Sequence, residues 1–204
     1  MLKEVIKNTQ KKVEKYVKNS KSPVVAKCYF WVIEMMKPFY FTNEFLLTTG
    51  LKRKSNSKYK SIVFFSVHKS ASTFIKNTII KLLDHENLQP VDFSGYMSSE
   101  KQGRYYNDKE KMKSLLVDKG FFYGAIRSYY DFPGIERFRV ILVLRDPRDV
   151  LTSHYFSTLY NHPLSRIEVY EERKKYANQT IDEFVLENAE ALNEKFCNYI
   201  NHLI

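Results

Sequence analysis

The stretch that most constrains this chain runs from Ser61 to Leu83. There the apolar run Ile62-Val63-Phe64-Phe65 passes through Ser66-Val67-His68-Lys69-Ser70-Ala71-Ser72-Thr73 into Phe74-Ile75-Lys76-Asn77-Thr78-Ile79-Ile80-Lys81-Leu82-Leu83. A short β-branched and aromatic run without alternation suits a strand buried on both faces, the habit of parallel sheets. Beyond the hydroxyl-rich segment the period changes: Phe74, Ile75, Thr78, Ile79, Leu82 and Leu83 recur every three or four residues and predict an amphipathic helix. A strand that turns directly into a helix aims free backbone N–H groups and the positive end of the helix dipole at one spot. Such a spot holds anions, phosphate above all. Lys69 brings a mobile charge to it, and Ser70, Ser72 and Thr73 bring hydroxyl donors. The glycine-rich phosphate loop of nucleoside triphosphatases is a different device, since no glycine lies between Ser61 and Asn87. A kinase or GTPase is therefore disfavoured, and a capped connection with an ordinary surface lysine is the plain alternative.

Further strands are expected at Leu88 to Phe93, Gly120 to Ala125 and Arg139 to Leu144, with a helix over Asn107 to Asp118 and a loop over Ser94 to Asp108. Strands alternating with helices predict an α/β fold, a doubly wound parallel sheet flanked by helices, with ligands outside the carboxyl ends of the strands. Residues 145–204 read as helical. Thr180 and Glu183 form a capping box ahead of the stripe Ile181, Phe184, Val185, Leu192, Phe196 and Ile200. The expected organisation is a basic, aromatic-rich helical extension and linker over residues 1–60, then a core over 61–204.

The net charge of +10 points to polyanionic partners or ligands. It is concentrated before the core: the first 60 residues carry fourteen Lys and Arg against Glu4, Glu14, Glu34 and Glu44. Val5, Ile6, Val13, Tyr16 and Val17 give residues 1–20 a weakly amphipathic helical pattern, and residues 24–47 are far more apolar. Lys27, Glu34 and Lys37 interrupt them, so no membrane span is expected, although residues 1–50 suit peripheral contact with an anionic membrane. Packing onto the chain's own domain is the other use of such a stretch. No nucleic-acid motif accompanies the lysines. Cys28 and Cys197 are far apart and fit no metal spacing, and Met1-Leu2-Lys3-Glu4 opens no apolar signal region, so a cytoplasmic protein is expected.

The fourth strand runs into Arg145-Asp146-Pro147-Arg148-Asp149-Val150-Leu151-Thr152-Ser153. Asp146 suits a helix cap and Pro147 the first helical position, which leaves Arg145 at the carboxyl edge of the sheet with Ser153 two turns on. A guanidinium and a hydroxyl converging there can hold a second phosphate, the guanidinium bidentately. Local pairing of Arg145 with Asp146 or Asp149 is the alternative.

Together the two segments resemble the sulfotransferase family. Lys69-Ser70-Ala71-Ser72-Thr73-Phe74 is similar to its 5′-phosphosulfate loop, Lys-Ser-Gly-Thr-Thr-Trp, and Arg145 to Ser153 is similar to its 3′-phosphate motif, with His154, Tyr155 and Phe156 as the aromatics that follow. The resemblance covers about residues 60–160. It implies a P-loop-like core, the cofactor 3′-phosphoadenosine 5′-phosphosulfate (PAPS), and sulfuryl transfer to a hydroxyl or amine of a small-molecule or carbohydrate acceptor. It also implies that Lys69 contacts the bridging oxygen, that Lys69 to Phe74 hold the 5′ side, and that Arg145 and Ser153 hold the 3′-phosphate. Ala71 stands where the family has glycine and Phe74 where it has tryptophan.

Cytosolic members use a histidine soon after the third strand, but Gly124-Ala125-Ile126-Arg127-Ser128-Tyr129 contains none. Carbohydrate-modifying members use a glutamate beyond the first helix, where His85, Glu86 and Asp92 stand; Asp92, near a strand end, is preferred as the acceptor's base. Arg127 is a candidate contact for an anionic acceptor. Family members continue with another strand and a basic lid loop, whereas this sequence stops at Ile204, so a core incomplete at its C-terminus is expected. Two rival readings follow: a nucleotide-binding remnant without turnover, and a basic module for membrane or nucleic acid.

Overall fold

A computed structural model describes residues 23–51, 55, 57–83, 86–161 and 167–204. The helix expected within residues 1–20, part of the linker, and His85 lie outside the described residues. The described chain begins with helices α1 (Pro23–Tyr40) and α2 (Thr42–Thr48) and enters the sheet at β1 (Ile62–Ser66). Helix α3 (Ser72–Leu82), strand β2 (Gln89–Val91) and helices α4 (Phe93–Tyr96), α5 (Ser99–Tyr106) and α6 (Lys109–Leu115) follow. Strand β3 (Phe121–Ile126) and strand β4 (Arg139–Val143) complete the sheet, and α7 (Pro147–Phe156), α8 (Ile167–Tyr176) and α9 (Ile181–Leu203) close the chain.

The four strands are all parallel, in the order β2-β3-β1-β4. Every residue of β1 is buried, as its unalternating apolar run requires. Its side chains divide between two cores. Ile62 and Phe64 face α3, with Phe122, Ala125, Ile75 and Ile79. Val63 and Phe65 face the larger core built with Phe93, Met112, Leu115, Val150, Leu151, Leu192 and Tyr199. Helices thus cover both faces, α3 one and α4 to α7 with α9 the other. The strand most apparent by composition, β4, is an edge strand and the least buried.

Gly124 lets β3 approach β1 closely, because a Cβ there would meet the Phe64 side chain at 2.9 Å from its Cβ and 3.0 Å from its Cδ1. The pairing of the two strands shifts register just beyond this point, between Phe64 and Phe65.

Residues 94–108 correct the expected loop, since α4 and α5 occupy most of them. Each of three short helices starts at a side-chain cap: Asp92 accepts from Gly95 N, Ser98 from Lys101 N, and Asp108 from Lys111 N. Caps and the burial of Phe93, Met97 and Tyr106 supply what the polar composition lacks. The Thr180–Glu183 capping box is present at the head of α9.

Candidate functional site

The turn between β1 and α3 is held from inside. Ser66 and Ser70, both buried, share a hydroxyl hydrogen bond of 2.6 Å, and Ser70 donates to Val67 O at 2.8 Å. The Ser70 side chain therefore braces the turn and is not among the residues lining the cavity described below, which differs from its expected place on a phosphate. Lys69 and Ala71 flank it at φ 63° and 56°, the left-handed region that disfavours a Cβ. Ala71 is also the N-cap of α3 and offers no side-chain cap, so the first amides of the helix take no partner from it. The turn needs positive φ at this position, and alanine adopts it under strain.

A cavity of about 650 Å³ opens over this helix start. From the turn it is lined by His68, Lys69, Ala71, Ser72, Thr73 and Phe74, and from beyond β4 by Arg145 and Ser153. The two sequence segments thus share one cleft, as their strands, β1 and β4, are neighbours. They also touch directly, Arg145 Nη1 donating to Lys69 O at 3.0 Å. Phe74 stands on the rim, 73% exposed.

The two cations of the motifs are anchored differently. Lys69 Nζ donates to Ser157 Oγ at 2.7 Å, where α7 widens into a π turn over Ser157–Asn161. Burial, and then the nearby Arg127 charge, hold the Lys69 amine below the usual lysine range. Arg145 makes the local pair with Asp149, at 3.3 and 3.2 Å, while its side chain still lines the cavity. Asp146 caps α7 as expected, accepting from Arg148 N, with Pro147 at the helix start.

Arg127 reaches back under the turn, donating to Val67 O at 3.2 Å and to Ser72 Oγ. Its guanidinium lies in the cavity wall beside Ser128 and Tyr130. Ser94, Gln102 and Lys195 complete the lining. The lining residues include Lys69, Arg127, Arg145 and Lys195 and no carboxylate. Such a wall favours an anion of high charge.

Asp92 is not among these lining residues. Its carboxylate receives Lys76 Nζ at 2.6 Å, Ser94 Oγ at 2.6 Å and Gly95 N at 3.0 Å, and its own backbone N–H is taken by the buried Glu44 carboxylate of α2. Burial pushes Asp92 upward, but the Lys76 charge and these donors outweigh it and hold the carboxyl below its usual range. The residue exposed to the cavity is Ser94, whose hydroxyl Asp92 fixes. Glu86 sits at the far end of α3, near the linker, where its carbonyl accepts from Ser57 Oγ.

Several lining residues lay beyond the reading of the sequence. Ser128 and Tyr130 follow a strand end, the signal that favoured Asp92, and were legible on that rule. Gln102 and Lys195 carried no signal: one lies in a segment read as loop, the other on the long α9, whose Tyr199 donates to Ile126 O at 3.1 Å and so ties the helix to the site end of β3. His68, also in the lining, stacks on His154 of α7 with ring centroids 5.8 Å apart.

Comparison with family models, with curated proteins and with solved structures finds no match to this chain.

Proposed function

We propose that the chain is a sulfotransferase with a P-loop-like core, taking the sulfuryl group of PAPS to a hydroxyl or amine of its acceptor. The observation that carries this reading is the shared cavity: Lys69 after β1 and Arg145 after β4 line one cleft and are joined by a hydrogen bond. The donor set suits the ligand. A doubly phosphorylated nucleotide needs two separated anion sites, and here one is a helix start with hydroxyls and an amine, the other a guanidinium with a hydroxyl. A cavity of about 650 Å³ has room for a nucleotide together with part of an acceptor.

In this reading the α3 amides, Ser72 and Thr73 hold the 5′-phosphate, and Arg145 and Ser153 hold the 3′-phosphate and select for it. PAPS, when bound, supplies the activated sulfuryl group. Lys69 places positive charge where the leaving phosphate gathers negative charge, in a partly buried setting that strengthens the interaction. Its amine is held by Ser157 Oγ at 2.7 Å. Asp92 acts as a positioning residue through Ser94, since its carboxylate is already engaged by Lys76 and weakened as a base. Arg127 fixes the floor of the turn and, with Lys195, gives the acceptor side a positive wall.

The test is transfer from radiolabelled PAPS to a panel of hydroxylic and amine acceptors. Labelled product that disappears in Lys69→Ala is expected. Labelled product that persists in Lys69→Ala contradicts the role of the lysine, and tight nucleotide binding without any transfer leaves the non-catalytic reading.

A further inference from the structure

Helix α1 carries two apolar faces, and among the described residues only one of them is covered. Val25, Tyr29, Phe30 and Ile33 pack against Ile167, Val169 and Tyr170 at α8. On the other side Val24, Trp31, Val32, Met35 and Phe39 are exposed, Trp31 by 65% and Phe39 by 77%. At helical spacing these five fall within a sector of about 100° and extend over roughly 22 Å of helix. Exposed apolar side chains are ordinary singly, but a continuous stripe with a tryptophan and a phenylalanine marks a surface that meets something.

The charge carried by the same stretch of sequence selects what the stripe meets. Lys27 is exposed on α1 itself, where the exposed Glu34 pairs with Lys37, and the sequence just ahead of the helix contributes Lys3, Lys7, Lys11, Lys12, Lys15, Lys18 and Lys21 against Glu4 and Glu14. A second copy of the chain would bring a net charge of +10 against +10, so self-association on this face is opposed electrostatically. An anionic bilayer satisfies both features. Lysines are drawn to the headgroups, and a tryptophan-bearing stripe is suited to the boundary between headgroups and acyl chains. No described helix is long and apolar enough to cross a membrane, which leaves lying in the interface as the mode of contact.

We infer that α1 docks the protein onto an anionic phospholipid surface, with Trp31, Met35 and Phe39 entering the interface and the neighbouring lysines supplying the attraction. The inference is independent of what the cavity binds.

Trp31 is the only tryptophan of the chain and reports on the contact directly. The full chain is mixed with vesicles of phosphatidylcholine alone, or with about a third phosphatidylserine, with and without brominated acyl chains. On the anionic vesicles Trp31 emission is expected to shift to the blue and to be quenched by the bromines, and added salt weakens the binding. Phe39→Asp combined with Met35→Asp is expected to lower partitioning about tenfold or more while the thermal melt stays unchanged, because both side chains are exposed. Absence of binding to anionic vesicles overturns the proposal. So does binding in which Trp31 is unquenched or the double variant partitions normally, which would mean charge alone acts. Blue-shifted emission without lipid that grows with protein concentration also overturns it, by assigning the face to a second copy.

Discussion

Lys69 and Arg145 reach the same cavity from neighbouring strands, yet opposite means hold them there. Lys69 rides on left-handed backbone, and its amine is fixed by Ser157, a residue 88 positions away. Arg145 precedes a well-capped helix, and its guanidinium is fixed by Asp149, four positions away. Lys69 depends on tertiary packing and a strained turn, whereas Arg145 has a local carboxylate partner in addition to its bond to Lys69 O. The difference teaches where the site is fragile: changes around Lys69 should disturb both fold and function, whereas changes around Arg145 should act mainly on the ligand, with the loss of one bond to the turn.

Four substitutions sharpen that contrast, from the largest expected effect to the smallest. If the chain transfers the sulfuryl group as proposed, Lys69→Ala removes the charge that would stand beside the leaving phosphate and should lower the transfer rate by at least about 100-fold, near 3 kcal/mol, in a single-turnover assay. Asp92→Asn leaves Lys76 facing a neutral amide in place of its partly buried carboxylate, and should cost about 2 kcal/mol in denaturant unfolding. Because the folded-state pKa of Asp92 is lowered, its stabilisation is full above the ordinary aspartate range and is lost as pH falls through the lowered value. The variant should therefore flatten the acid limb of stability against pH, and an unchanged limb would remove the ion pair from the account. Ala71→Gly relieves the left-handed strain and should raise stability by about 1 kcal/mol without loss of nucleotide affinity. Asp149→Ala breaks only an exposed pair and should change stability by at most about 0.5 kcal/mol, leaving the melt nearly where it was.

Much of the frame was legible because it is local. The unbroken run of β1 specified a buried parallel strand, and Asp146 with Pro147 specified where α7 begins. The motif residues were legible as types, and the structure brings Lys69, Ala71, Ser72, Thr73, Phe74, Arg145 and Ser153 to one cavity. Ser70 was not legible as a brace, because its hydroxyl turns inward to Ser66, a pairing that depends on how the turn closes. The part of Asp92 was hidden for a similar reason: its partners Lys76, Ser94 and Glu44 come from three different elements. Helices α4 and α5 escaped notice because two side-chain caps and buried aromatics, rather than an apolar period, hold that region.

The central claim is that the two strand ends bind the two phosphates of a single adenine nucleotide. Titration calorimetry with 3′,5′-diphosphoadenosine and with adenosine 5′-phosphate tests it most directly. The unmodified chain should bind the diphosphate at least about tenfold more tightly, and Arg145→Ala should erase most of that preference while leaving the fold intact. Equal affinity for the two nucleotides, or a preference that survives Arg145→Ala, would contradict it.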